Sequence, residues 1–234
     1  MNPFDISIIQ FFNQFVQTSW AIDKTVIAIS INHLLKGAML ITPYWWLWFR
    51  EENQEHNRRG IISILMSCFV AMFLARGLAL TLPMRLRPIH TEGIGFNMPI
   101  GLDRSELEGW SAFPSDHAVL FFALAIGIYF MSKRIGIIAL IYTFLMIALP
   151  RIYLGLHWPT DILVGAMLGI LICYIGFREF PKFKPVKWIT DLSYAKPEFF
   201  YPAFFLLCYQ FADMFSTGRL LGLQAFKLAE FIFL

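Results

Sequence analysis

The chain has little charge and little cysteine. Asp, Glu, Lys and Arg together make up 15% of its 234 residues, where about a quarter is usual for soluble domains. So few charges cannot cover a water-facing surface of the ordinary kind. The three cysteines, Cys68, Cys173 and Cys208, are odd in number, lack a CxxC spacing and fall inside apolar runs, which excludes a disulfide framework and a cysteine metal site. They read as small core residues. Internal repeats and low-complexity stretches are absent. The net charge is only +3, with no basic patch interleaved with aromatics, so nucleic acid is not an expected partner. The first residues carry Asp5 and no basic cluster, so a cleaved signal peptide is not expected.

What is abundant is apolar surface. Hydrophobic residues make up 58% of the sequence and come in long blocks. This predicts an all-α, polytopic membrane helix bundle, one domain over residues 1–234, with the lipid bilayer as solvent. Residues 4–16 pattern as an amphipathic helix along the membrane surface. Six candidate spans follow at 25–49, 60–83, 115–131, 135–156, 159–177 and 197–215, each near the ~20 residues a bilayer requires. Trp45, Trp46, Trp48 and Arg50 form an interfacial anchor at the end of the first. Alternate loops are basic: Arg50, Arg58 and Arg59 in one, Lys133 and Arg134 in another, and Arg178, Lys182, Lys184 and Lys187 in a third. The positive-inside rule puts these in the cytoplasm and the remaining connections, 84–114 and the turn near 157, on the outer face of the cytoplasmic membrane. Arg85, Arg87 and Arg104 lie on that outer side against the rule, which points to an anionic ligand.

The polar residues of the outer side form a pattern. Pro114 suits the first turn of a helix, so Ser115, Asp116 and His117 sit where backbone N–H groups lack intrahelical partners, a ready anion site. Pro159 repeats the signal, with His157 just before a helix and Asp161 in its first turn, near enough to orient the imidazole. Arg151 ends the preceding span, six residues before His157. His33 and Lys36 fall within the first span, where charge is costly and is either functional or paired. The loop from His90 to Trp110 is long enough to cover such a site.

These residues resemble the type-2 phosphatidic acid phosphatase superfamily, whose motifs are K-x6-R-P, P-S-G-H and S-R-x5-H-x3-D. The second stands here as Pro114-Ser115-Asp116-His117, and the third as Arg151, His157 and Asp161 with Pro150 in place of Ser. The first survives as Arg87-Pro88, with Leu80 where the family has Lys. The motif core thus runs over 76–161. The resemblance implies that His157 attacks phosphorus, that Asp161 orients it, and that His117 protonates the leaving oxygen and then activates water. It implies that Arg87, Arg151, Ser115 and the backbone N–H of Asp116 hold the phosphoryl oxygens, without metal or other cofactor. Asp116, counted with the phosphate-binding residues, adds an anion near a phosphate, which is tolerable if its carboxylate faces away toward the helix backbone. Arg76, one helical turn from Leu80, and Arg85 are the candidates to replace the missing cation. The Asp form of the second motif resembles the polyprenyl-diphosphate branch, which makes an undecaprenyl-type diphosphate the implied substrate. Phosphatidate or phosphatidylglycerophosphate hydrolysis, phosphotransfer to a lipid or sugar, and a non-catalytic lipid-binding or transport role are the alternatives.

Overall fold

Pro3 in the first turn and Asn2, whose side chain accepts the Phe4 N–H at 3.1 Å, start α1 (Pro3–Asn13). In the computed structural model, which describes residues 2–233, every regular element among the described residues is helical. Phe4, Phe11 and Phe15 face outward around α1 while Ile9, Asp5 and Asn13 are buried, so a two-faced helix forms over most of the expected stretch 4–16, with its phenylalanines outward.

The first expected span is broken. It consists of α2 (Trp20–Ile31), a π-helical turn at Leu34–Ala38 and α3 (Met39–Phe49), bent by 64°. Asn32 is extended, and its side-chain oxygen accepts the Leu35 N–H at 3.1 Å, capping the second piece. α4 (Gln54–Thr81) then runs for 28 residues, about 42 Å at helical rise. α5 (Asp116–Met131) follows the outer loop. α6 (Lys133–Thr143) continues through a second π-helical turn (Phe144–Ala148) into α7 (Leu149–Tyr153). α8 (Pro159–Glu179), α9 (Lys184–Ala195), α10 (Pro197–Ala212) and α11 (Ser216–Phe233) complete the order. α9 occupies part of what reads in sequence as a basic loop; Val186, Thr190 and Ser193 form its buried face.

Among the described residues, three stretches are long and apolar enough to cross a membrane alone: Gln54–Thr81, Lys133–Tyr153 and Pro159–Lys182. Counted as one bent span, the α2–α3 pair makes a fourth. α5, with 16 residues, is a shorter apolar helix at one of the other two expected spans, and α10, also of 16 residues but carrying Glu198, Gln210 and two prolines, covers part of the last. The chain is therefore a multi-pass membrane protein. Phe73, Leu80, Met167 and Phe205 stand outward as lipid-facing surface, whereas Val119, Leu120, Phe121, Ala123 and Leu124 make α5 the buried centre. A helix enclosed by its neighbours need not match the bilayer thickness, which is why 16 residues suffice there.

α5 packs against α8 along a seam of small residues. A Cβ at Gly165 would meet the Ser115 carbonyl at 2.8 Å, and one at Gly169 would collide with the Val119 carbonyl. This four-residue glycine spacing lets two membrane helices approach to backbone contact. The Ser115 N–H donates to the Asp161 carbonyl at 3.2 Å, so the first turns of both helices are tied together.

A polar network fixes α1 to the same place. Asp5, 1% exposed, accepts from the Thr160 N–H at 2.9 Å, from the Thr160 hydroxyl at 2.7 Å and from Arg85 Nη2 at 2.7 Å. Arg85 Nη1 in turn donates to Asp161 Oδ1 at 2.6 Å. Removing one partner of a buried pair costs about 3 kcal/mol or more in closed sites, and Arg85, 32% exposed, belongs at the low end. Asp5→Ala is expected to lower the thermal unfolding midpoint in detergent by several degrees. An unchanged midpoint would show that α1 is not held by this network.

Candidate active site

Four helix ends meet at one end of the bundle. The chain leaving α4 brings Arg85 and Arg87, the first turn of α5 brings Asp116 and His117, α7 brings Arg151, and the turn before α8 brings His157. The opposite end carries the basic connections with Arg50, Lys133, Lys182 and Lys184.

The spacing of the third motif has a local cause. Gly155 takes a left-handed φ of 66°, which reverses the chain after α7. The N–H groups of Leu156 and His157 then both donate back to the Arg151 carbonyl, at 3.0 and 3.3 Å. Arg151 and His157 are therefore the two ends of one closed turn. Asp161 lies four residues on because its Oδ2 accepts the Trp158 N–H at 2.8 Å, capping α8.

His117, His157, Arg87 and Arg151 line a single cavity of about 470 Å³. The outer loop covers it with Glu106, Leu107, Trp110 and Ser111. His157, 4% exposed, directs Nδ1 at the Ala112 carbonyl, 2.9 Å away. A carbonyl only accepts, so Nδ1 carries the proton and Nε2 keeps its lone pair. That Nε2 lies 3.3 Å from Arg87 Nη1. Burial, with the Arg87 and Arg151 guanidiniums beside it, holds the imidazole well below its ordinary value of 6.5, and so neutral. Arg87 is fixed by the Leu156 carbonyl and, through Nη2, by the Ser111 carbonyl at 3.2 Å. Arg151 Nη2 is in close contact with His117 Nε2 and reaches the Ser30 carbonyl at 3.4 Å.

Several expected residues sit elsewhere. Asp161 is fully buried behind His157, with its carboxylate 3.9 Å from Nδ1, too far for a hydrogen bond. The Ala112 carbonyl takes that orienting position, and Asp161 engages Trp158 and Arg85. Arg85 does not line the cavity; it lies on the Asp5 side. Ser115 caps α5, accepting the Ala118 N–H at 3.4 Å, and is also outside the lining. Asp116 does not face away from the cavity. It lines the cavity with its carboxylate 3.6 Å from Arg76 Nη1, and that cation makes its position tolerable. Arg76 lines the cavity too, beneath the Trp110 ring at 4.2 Å, while Leu80 is 75% exposed on the outer surface.

Sequence reasoning nominated Arg76 and Arg85 for the missing cation and left Lys36 aside. Lys36 is 6% exposed and lines the same cavity. A lysine in the middle of an apolar run was the available signal. Among the described residues, no three His, Cys, Asp or Glu side chains gather in a way that could hold a metal ion. The arrangement offers an unprotonated imidazole nitrogen, a second imidazole and several fixed cations around one space. Such a set can accept a phosphoryl group and pass it on.

Comparison with known proteins identifies the family. The PAP2 superfamily model matches residues 60–185. The chain is 32% identical to lipid A 1-diphosphate synthase of Escherichia coli K12 over 73% of each chain. It is also 32% identical to undecaprenyl-diphosphatase BcrC of Bacillus subtilis 168, over 67% of this chain and 74% of that protein. Across the relatives matched, the chain spans from 39% to 74% of their own length. A crystal structure of a transmembrane PAP2-type phosphatidylglycerolphosphate phosphatase from Bacillus subtilis superposes with a TM-score of 0.52 at 20% identity, over 77% of this chain and 86% of that one, and so shares the fold. With a family model covering more than half its length and its histidines and arginines gathered in one cavity, the chain belongs to the PAP2 superfamily.

Proposed function

We propose that this protein hydrolyses a polyprenyl diphosphate of the undecaprenyl type through a phosphohistidine, as a single domain over residues 1–234 with its site at the outer face of the cytoplasmic membrane. The observation that carries the reading is His157 Nε2, unprotonated because Nδ1 faces the Ala112 carbonyl and accepting from Arg87 Nη1 at 3.3 Å, on a cavity shared with His117, Arg87 and Arg151. The Arg87 N–H passes from Nε2 to a phosphoryl oxygen as the substrate enters. The similarity to a protein named undecaprenyl-diphosphatase supports the choice of substrate. The basic connections at the far end of the bundle support the orientation.

The reaction follows from positions. Nε2 of His157 attacks the terminal phosphorus, forming an N–P bond while the bridging P–O bond breaks and its electron pair leaves with the lipid phosphate. Arg87 and Arg151 neutralise the oxygens as charge shifts among them. Asp161, through the cap of α8, and Arg85 hold the turn that carries His157. The lipid phosphate departs as an anion held by cations and needs no proton; His117 Nε2, unprotonated where it meets Arg151, then takes a proton from the water that attacks the phosphohistidine and releases it to solvent as the product leaves. The N–P bond breaks, orthophosphate leaves and the His157 lone pair returns. Fixed cations supply the charge stabilisation, so the proposal needs no metal.

The relative named lipid A 1-diphosphate synthase gives weight to a second reading, in which the phosphoryl group passes to a lipid acceptor instead of water. Product analysis separates the two: hydrolysis releases inorganic phosphate with no acceptor added, and transfer leaves the phosphate on the added lipid.

His157→Ala is expected to lower kcat for phosphate release by at least roughly a thousandfold; a rate near wild type would end the phosphohistidine reading. The nucleophile acts unprotonated, and its imidazole titrates below 6.5, so the acid limb of kcat/KM lies below that value. Arg87→Gln removes a neighbouring cation, eases protonation of His157 and moves this limb to higher pH, along with lowering the rate. A limb that stays in place would show that Arg87 does not act on the imidazole. Arg85→Gln is expected to lower kcat with KM little changed, because Arg85 is outside the cavity; a raised KM alone would put it on the substrate. EDTA is expected to leave the rate unchanged, and a loss restored by a divalent cation would contradict the metal-free route.

A further inference from the structure

Among the described residues Lys36 is the one lysine on the cavity wall, and it is out of place in ordinary terms. The residue is 6% exposed, its side chain makes no hydrogen bond or ion pair among the described residues, and its ammonium opens on the cavity. Asp213, also on the wall, is bonded by His33 at 3.2 Å and by the Thr217 N–H at 2.6 Å and attracts Lys36 only from beyond ion-pair distance. A largely buried lysine facing such a space is complementary to an anion.

The chain goes to some length to put it there. Lys36 stands in the π-helical turn of the broken first span, and such turns re-aim side chains at functional sites. The Tyr142 hydroxyl donates to the Leu35 carbonyl at 2.6 Å, fastening this turn to α6 just before the second π-helical turn, which leads to Arg151. Gly37 lets the Ala212 backbone sit against the turn; a Cβ there would collide with it. Both π-helical turns thus serve the side of the cavity where Arg151 meets His117.

That side is not the nucleophile's. In an in-line displacement the attacking and leaving atoms lie on opposite sides of phosphorus. His157 and Arg87 define the attacking side. His117 and Arg151 define the leaving side, and Arg151 reaches the Ser30 carbonyl of the helix that leads into Lys36. A lipid monophosphate leaves as an alcohol and puts no charge beyond the bridging oxygen. A diphosphate leaves as a phosphate, which needs a cation there.

We infer that Lys36, with Arg151, forms a second phosphoryl-binding subsite that holds the phosphate remaining on the lipid, so that the site selects diphosphates over monophosphates. This rests on the proposed hydrolysis through His157 and adds to it a basis for substrate choice. Arg76 is placed differently, since the Asp116 carboxylate already faces it.

The test compares wild type, Lys36→Gln and Lys36→Arg in detergent, each with a prenyl diphosphate and the matching prenyl monophosphate, and measures protection against thermal unfolding by inorganic pyrophosphate and by orthophosphate. Lys36→Gln is expected to lose about tenfold or more in kcat/KM for the diphosphate relative to the monophosphate. It should lose pyrophosphate protection by a similar factor, with orthophosphate protection nearly unchanged and Lys36→Arg recovering most of both. Lys36→Met, which also removes the charge, gives the same reading where the glutamine variant does not fold. Equal losses on both substrates, or none on either, would overturn the inference. Should wild type release phosphate from neither lipid, the functional proposal fails by itself. The pyrophosphate and orthophosphate arm then still decides whether Lys36 binds the second phosphoryl group.

Discussion

Positive charge held inside an apolar bundle is the constraint on which the rest of this structure depends. Lys36, Arg87 and Arg151 are buried on one cavity, with Arg76 partly buried and Arg219 exposed at its edge; of the carboxylates on the same wall Asp213 is buried, Asp116 is partly buried against Arg76, and Glu106 is exposed. A low-dielectric interior does not tolerate three buried cations against one buried carboxylate without an anionic partner or a dense set of hydrogen bonds. Arg87 and Arg151 are satisfied in part by the backbone carbonyls of Leu156, Ser111 and Ser30, which position the guanidiniums without neutralising them. A phosphate group is the complementary guest. Burial, and next to it Arg87 and Arg151, keep His157 unprotonated, so the arrangement that attracts the substrate also prepares the nucleophile.

The glycine seam between α5 and α8 turns this arrangement into a rigid one. Backbone contact at Gly165 and Gly169 fixes the first turns of the two helices, and with them His117 and the turn carrying His157. Asp5, Arg85 and Thr160 secure the start of α8 from the surface side. Membrane helices have little hydrophobic drive to pack against each other, so close approach and buried polar bonds do the positioning. The alignment needed for chemistry is thereby set by the same contacts that hold the bundle.

What could be read from the sequence was what is local. The Arg151–His157–Asp161 spacing is one backbone turn and one helix cap, both completed within eleven residues. The apolar runs gave the helices and the membrane for similar reasons. The misses are tertiary. Arg85 looked like a neighbour of Leu80, but α4 ends at Thr81 and the extended chain after it carries Arg85 behind Asp161. What makes the Asp116 carboxylate tolerable beside a phosphate site is Arg76 from α4, a partner that nothing in the helix of Asp116 announces. The break at Asn32 and the inward aim of Lys36 depend on contacts with Tyr142 and Ala212, far along the chain. Ser30, Asn32, His33 and Lys36 were the visible sign, a polar cluster inside an otherwise apolar segment.

The central claim is a covalent bond between phosphorus and an imidazole nitrogen. Rapid acid-free quenching of the protein during turnover of a prenyl diphosphate labelled at its terminal phosphorus tests it directly. The account predicts labelled protein whose modification survives base, is lost in acid and maps to His157. Steady release of labelled phosphate with no label on the protein at any time point, or with the label on another residue, would contradict it.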